Sequence, residues 1–252
     1  MGKNVLIIGI KNEESTCFAI AKALKKRGYE IYATYLNQEA KEDMERVAEE
    51  LNFKKIYQYD ARKDEDLASF TAQMIKDGVK LDGLVHGIAY SAAKGAKLGS
   101  YLMDMEWEDF ADAIRVGAFS LIEVVGKLFD QLNTGASILA LTSRLSKVAV
   151  PGFNVVGAAK ASLDSIVRGL AEDLGRLKKI RVNALSAGAM ATGAFGKLGN
   201  TLTLLELAKN RSPLKVNVKK DDVGSLAATL LENTSITGTI YPIDAGYDIM
   251  GV

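Results

Sequence analysis

NVLIIGIKNEESTCFAIAKAL, Asn4 to Leu24, decides the fold. Val5 to Ile8 is a continuous apolar run too short for a helix, and it runs directly into Gly9. Such a run reads as a strand buried on both faces, the kind found in parallel sheets covered by helices. Past the turn, apolar residues recur at helical spacing. A glycine turn feeding a helix N-terminus collects backbone N–H groups at the positive end of the helix dipole, and anions bind there. The full G-x-G-x-x-G fingerprint is absent, because Gly9 is the sole glycine of the turn. Ser15 or Thr16 is placed to cap the helix and offer a hydroxyl to a phosphate, whereas Glu13 and Glu14 would repel one. From this segment alone, a phosphate site and a capped helix without ligand are equally open.

The same alternation continues along the chain. Further strands are expected at Glu30 to Tyr35, Lys55 to Tyr59, Gly83 to His86, Ser137 to Thr142, Arg181 to Leu185 and Thr239 to Ile243, after Asn4 to Ile8. Helices are expected at Ser15 to Arg27, Ala40 to Glu50, Asp64 to Lys76, Trp107 to Phe129, Val155 to Arg176 and Asp221 to Leu231. Gly28 and Gly78 stand where helix stops belong. GLVHG and SILALT repeat the apolar signature of central strands. The expectation is one α/β domain over residues 1–252, a Rossmann-like doubly wound parallel sheet of about seven strands with helices on both faces. Ligands of such sheets bind at the carboxyl ends of the strands.

Composition narrows the function classes. The 252 residues are 48% hydrophobic and 25% charged, with a formal net charge of +1 and no long run of like charge. No nucleic-acid face or polybasic membrane patch is indicated. The single Cys17 excludes an internal disulfide and fits a reducing compartment. No apolar run nears the roughly 18 residues of a membrane span, and VLIIGI is too short for a signal-peptide core. A cytoplasmic protein is expected.

Several motifs, in order, carry a resemblance: Gly9 with Ser15-Thr16-Cys17, TYLN at Thr34 to Asn37, Asp60, LDGLVHGIAY at Leu81 to Tyr90 and PGFNVVGAAKASL at Pro151 to Leu163. RVNALSAG at Arg181 to Gly188, DDVGSLAATLL at Asp221 to Leu231 and YPIDAGY at Tyr241 to Tyr247 complete the set. End to end, the chain resembles the divergent short-chain dehydrogenase/reductases that include bacterial NADH-dependent enoyl-acyl-carrier-protein reductases. The resemblance implies an NADH-dependent oxidoreductase of fatty-acid synthesis, acting on an acyl-carrier-protein or other enoyl thioester, and a homotetramer. It assigns cofactor contacts to Gly9, Ser15, Thr16, Leu36, Asp60, Ala61, Gly87, Ile88, Lys160, Met190 and Thr192. Lys160 would hold the nicotinamide ribose hydroxyls and Asp60 the adenine amine, a role favoured over that of a loop aspartate capping the next helix. Tyr90, Ser91 and Leu198 would line the substrate pocket, with a flap at about 193–212 whose Leu202 and Leu205 line an acyl channel or pack as a helix. No metal site is expected. Leu36 to Glu39 contains no Arg or Lys to pair a 2′-phosphate, so NADH is favoured over NADPH, with Lys41 the nearest cation downstream.

His86, the only histidine, is the obvious general base, yet a histidine ending a buried strand is more often a packed residue. Cys17 reads as a small packing residue. The sharpest departure is Phe153, seven residues before Lys160 and so about two helical turns, roughly 10.5 Å, away on the same face. Tyrosine is implied there by the resemblance, as an enolate stabiliser, and a second aromatic ten residues earlier, where this chain has Ser143. Losing one oxyanion donor costs about 10²- to 10³-fold in rate. Catalytic roles therefore fall to Lys160, Phe153 and Ser143, with Ser143 donating a hydrogen bond to the oxyanion. Three alternatives stay open: a non-catalytic paralogue binding a dinucleotide or acyl-carrier partner, a reductase of another carbonyl substrate, and an engineered change at Phe153.

Overall fold

A computed structural model describes residues 2–89, 101–150, 153–190 and 201–250. Seven parallel strands form one sheet: β1 Asn4–Ile8, β2 Glu30–Tyr35, β3 Lys55–Gln58, β4 Leu81–His86, β5 Leu132–Thr142, β6 Arg181–Ala187 and β7 Ile240–Ile243. Their order is β3-β2-β1-β4-β5-β6-β7. The chain builds outward from β1 to β3, then returns to lay β4 on the other side of β1. This reversal is the switch point at which doubly wound sheets bind ligands.

The strand sequences explain the layering. Side chains alternate along a strand, so Val5 and Ile7 pack into one core and Leu6 and Ile8 into the other. The first core is closed by α1 Thr16–Lys26, α2 Lys41–Glu50 and the late helix α8 Lys220–Glu232. The second is closed by α3 Asp64–Lys76, α5 Ser120–Lys127 and α6 Asn154–Lys178. Both faces of the central strands are therefore dry, as their unbroken apolar runs require.

One expected helix differs. Trp107 to Phe129 divides into α4 Trp107–Ile114, a π turn over Arg115–Phe119 and α5, which stops at Lys127. Within the wide turn the Ser120 hydroxyl donates to the Val116 carbonyl at 2.8 Å, and Gly117 leaves room for Ala159 of α6. Apolar periodicity does not distinguish a π turn from the helix around it. Other changes are at element ends: β5 begins at Leu132 rather than Ser137, β3 ends at Gln58, and β6 extends to Ala187. The described part of the expected flap contains α7, Thr201–Arg211, with Leu205 buried. Leu198 and the rest of 191–200 lie outside the described residues, as do Tyr90, Ser91 and Thr192.

Candidate active site

At the switch point β1 and β4 end side by side, and the Gly87 N–H donates to the Ile8 carbonyl at 2.8 Å. Gly9 takes φ +116°, and a Cβ there would lie 2.5 Å from the Gly87 carbonyl oxygen. A Cβ on Gly87 would lie 2.2 Å from Cys17 Sγ. Two glycines and one small thiol thus let two strand ends and the start of α1 meet backbone to backbone. Cys17 is fully buried in that contact and its pKa is pushed up to about 12 by burial, so the thiol is a packing group and not a nucleophile.

Ser15 sits at the N-cap of α1, but its hydroxyl does not cap the helix. It accepts instead from the Lys11 and Asn12 N–H groups at 2.9 and 3.1 Å, which folds the glycine loop. The expectation of side-chain capping is corrected by this closer pair of donors. Glu14 is drawn to Lys220 of α8, which offsets the charge that argued against an anion in the turn.

Two clefts open above this contact. The glycine-turn cleft, about 610 Å³, includes Gly9, Ser15, Thr16, Asp60, Gly87 and Lys160 among its walls. Leu36, Ala61 and Ile88 complete the set of described residues that the sequence grouped around a cofactor. Met190 is the exception, because it faces the second cleft, of about 640 Å³, together with Phe153, Leu207 and Tyr247. Thr16, Ser143 and Ala187 line both clefts and form the seam between them. Phe153 and Lys160 therefore serve adjoining cavities rather than a single one. Each volume falls within the few hundred to 1,000 Å³ usual for ligand sites.

Lys160 is 6% exposed, and its ammonium donates to the Leu141 carbonyl at 2.8 Å and the Ile88 carbonyl at 3.4 Å. Burial lowers its pKa to about 8, against the opposing pull of Asp164. These carbonyls hold the charged end at the floor of the glycine-turn cleft, fixed before any ligand arrives. His86 is wholly buried, with Nε2 2.8 Å from Ser120 Oγ. Because that hydroxyl donates to Val116, Nε2 must be the donor in the pair. Burial and the nearby Lys160 push the imidazole pKa down to about 3, so His86 is a neutral packed residue and no general base.

The relation of Phe153 to Ser143 is set by a third close approach. Gly157, one turn into α6, faces the Leu145 carbonyl, where a Cβ would come within 2.8 Å. The loop after β5 is thereby pressed against the start of α6, with Phe153 at its N-cap. Among the described residues Ser143 Oγ is buried at the seam without a hydrogen-bond partner, and Thr142 Oγ1 is in the same state on the glycine-turn side. Buried hydroxyls left unpaired are costly, so an acceptor or donor from a ligand fits both. At the far end, the Asp60 carboxylate is held by Arg62, at 2.6 Å for the Nη2 contact. Thr142, Arg62, Lys11 and Arg144 are wall residues that sequence reasoning missed. Adjacency to Ser143 was the available signal for Thr142 and Arg144; nothing local marked Arg62 or Lys11.

A phosphate-type turn at the switch point, a buried lysine two turns into α6 and a second cleft across a shared seam define a dinucleotide-binding oxidoreductase of the short-chain dehydrogenase class. The sequence profile described as Enoyl-(Acyl carrier protein) reductase matches residues 9–248, and the chain belongs to that family. It is 34% identical to the enoyl-[acyl-carrier-protein] reductase [NADH] FabI of Rickettsia felis over 252 residues, 99% of this chain and 96% of that protein. It is 35% identical to the enoyl-[acyl-carrier-protein] reductase [NADPH] FabI of Staphylococcus aureus strain MRSA252, covering 97% and 96% of the two chains. The enoyl-(acyl-carrier-protein) reductase of Anaplasma phagocytophilum, solved in complex with NAD, superposes with a TM-score of 0.93 at 32% identity, covering 100% of this chain and 95% of that one. Relatives named for both dinucleotides occur, so coenzyme choice rests on the residues of this chain.

Two cations that could meet a 2′-phosphate near Leu36 are already engaged. Lys41 pairs with Glu45 at 3.7 Å, and Arg62 is held by Asp60. NADH is expected to bind at least about tenfold more tightly than NADPH, a difference of about 1.4 kcal/mol. A ligand that accepts from Lys160 favours the ammonium, which is present below about pH 8 and lost above it. NADH affinity, followed by fluorescence titration, should therefore fall as pH rises from 7 to 9.5, and Lys160→Met should be weaker and flat across that range. Equal affinities for NADH and NADPH would refute the coenzyme claim, and the same pH slope in Lys160→Met would refute the role of the lysine.

Proposed function

We propose that this chain reduces the 2,3-double bond of trans-2-enoyl thioesters presented by acyl-carrier protein, using NADH. The observation that carries the reading is the pair of clefts joined at Thr16, Ser143 and Ala187, with a buried ammonium under one and Phe153 on the wall of the other. The dinucleotide, when bound, supplies a hydride. Gly9, Ser15 and Thr16 would hold its pyrophosphate, Leu36, Asp60 and Ala61 its adenosine end, and Gly87, Ile88 and Lys160 its nicotinamide half. Met190 would contact it only from across the seam, and Thr192 is assigned by resemblance alone.

The residues of the chain then perform three tasks. Lys160 positions through its fixed ammonium. Apolar walls, including Val148, Val150 and Leu207, exclude water around the acyl chain. Ser143 offers an unpaired hydroxyl to the thioester oxygen, where reduction places negative charge. Carbonyl reduction demands a proton on oxygen, which Phe153 cannot give, whereas alkene reduction needs only that the enolate be held while water protonates carbon. That difference favours an enoyl over a carbonyl substrate.

Phe153→Tyr restores one oxyanion donor on a ring that already lines the cleft. NADH oxidation with a short enoyl thioester is expected to rise, by about 10²-fold at most. An unchanged rate at saturating NADH would remove the idea of a vacated enolate-stabilising position. Tyr90, by the resemblance a pocket wall, is the alternative source of a hydroxyl, and Tyr90→Phe would then lower the rate.

A homotetramer and a cytoplasmic location belong to the same reading. Gly117, Ala118 and Gly157 pack within the chain, so they do not argue for assembly. Phe119 and Ile122, 47% and 37% exposed on the π turn and α5, do leave an apolar surface for a second copy. Light scattering at micromolar concentration should give about four times the chain mass of 27.1 kDa. A monomer would reject the assembly.

A further inference from the structure

Resting on the reductase reading, we infer that Arg144 is a catalytic residue: its guanidinium, in the cleft beside Phe153, holds the negative charge that develops on the thioester oxygen. Arg144 directly follows Ser143, and it shares the cleft wall with Phe153 and Tyr247. Its Cζ lies 4.2 Å from the centroid of the Tyr247 ring, a stacked contact that fixes the guanidinium plane without using its N–H groups. Among the described residues the Arg144 side chain makes no hydrogen bond, and its Nε is buried without a hydrogen-bond partner. The guanidinium groups of Arg62, Arg115 and Arg181 each donate to a carboxylate or carbonyl, although Arg115 does so through Nη2 and its Nε, like that of Arg144, has no hydrogen-bond partner among the described residues.

Among the described residues the one ion pair of Arg144 is loose and shared. Asp248 approaches to 3.8 Å from Nε, too far for a hydrogen bond, and its carboxylate accepts from Lys147 at 2.9 Å. Among the described residues Asp244 is the one carboxylate on the cleft wall, and its two oxygens accept from the N–H groups of Gly246 and Asp248 at 2.9 and 2.6 Å. Arg211, at the end of α7, adds a second cation to the same wall. The described wall thus carries two guanidinium groups and one carboxylate, and this excess of positive charge calls for an anion.

Enoyl thioester reduction creates one. Hydride from NADH adds to the β-carbon, the alkene pair forms the bond between the α-carbon and the carbonyl carbon, and the carbonyl pair moves onto oxygen. The enolate then returns that pair, the α-carbon takes a proton from water, and NADH leaves oxidised. Arg144 keeps its proton throughout, since a guanidinium is not deprotonated in proteins. A fixed cation is an alternative to a phenolic donor for the same oxygen.

The test uses the full chain, NADH and the crotonyl thioester of N-acetylcysteamine, which carries no charge of its own. Arg144→Leu is expected to lower kcat about 10²-fold while KM changes by less than about threefold, the pattern of an interaction made in the transition state. Arg144→Lys should recover most of the loss, and NADH affinity should match the parent in both variants. In a Phe153→Tyr background the loss should shrink to about tenfold or less, because the two donors serve one oxygen. A kcat within about twofold of the parent in Arg144→Leu, or a loss confined to KM, overturns the assignment while leaving the reductase reading intact. A parent that binds NADH but never oxidises it with the thioester overturns the reductase reading, and this assignment with it.

Discussion

The site depends on how closely the ends of β1 and β4 approach one another. A side chain at Gly9 or Gly87 would collide with backbone or with Cys17 Sγ, so both positions must lack one. That contact brings the glycine loop of one strand beside the turn after the other, and the crevice between them is the glycine-turn cleft. The parallel sheet provides the reversal of direction; the missing side chains decide that it is open enough to hold a ligand. Gly157 repeats the device on a smaller scale, pressing the loop of Ser143 and Arg144 against α6. Three absent side chains therefore set the distances on which the chemistry rests.

Electrostatics then divides the work. Lys160 is a buried ammonium whose pKa burial lowers to about 8 against the pull of Asp164, so it stays charged at neutral pH, and His86 is an imidazole kept neutral by burial. Neither is a proton donor to substrate in this account. The second cleft contains no tyrosine at the start of α6, and its cationic wall is supplied by Arg144 and Arg211. An oxyanion donor is worth about 3–4 kcal/mol to a transition state. That is comparable with a large fraction of a domain's net stability, yet Phe in place of Tyr removes a hydroxyl without removing any packing. The fold can therefore persist unchanged while the acid–base apparatus is rebuilt.

Much of this was legible in the sequence because the signals were local. VLII, GLVHG and SILALT place the central strands directly, since a strand dry on both faces needs an unbroken apolar run. Lys160 and Phe153 were legible through their spacing on one helix. The π turn was not, because the apolar pattern of Arg115 to Phe119 matches that of the helices it joins. Ser15 looked like a helix cap and proved to be a loop-folding acceptor, because donors at Lys11 and Asn12 lie closer than the helix N–H groups. Arg144 was passed over for a further reason. A lone arginine after a strand is ordinarily a solvated residue, and only the structure shows its Nε buried 3.8 Å from an Asp248 carboxylate that already accepts from Lys147.

The central claim is that reduction passes through an enolate formed beside Phe153, and the position of the transferred hydrogen tests it most directly. NADH bearing deuterium at the transferable C4 position would be oxidised with a trans-2-enoyl thioester in ordinary water, and the product examined by NMR. One deuterium is expected on the β-carbon and ordinary hydrogen on the α-carbon, with the thioester carbonyl intact. Deuterium on the former carbonyl carbon, or NADH oxidised without label in the thioester, would contradict it.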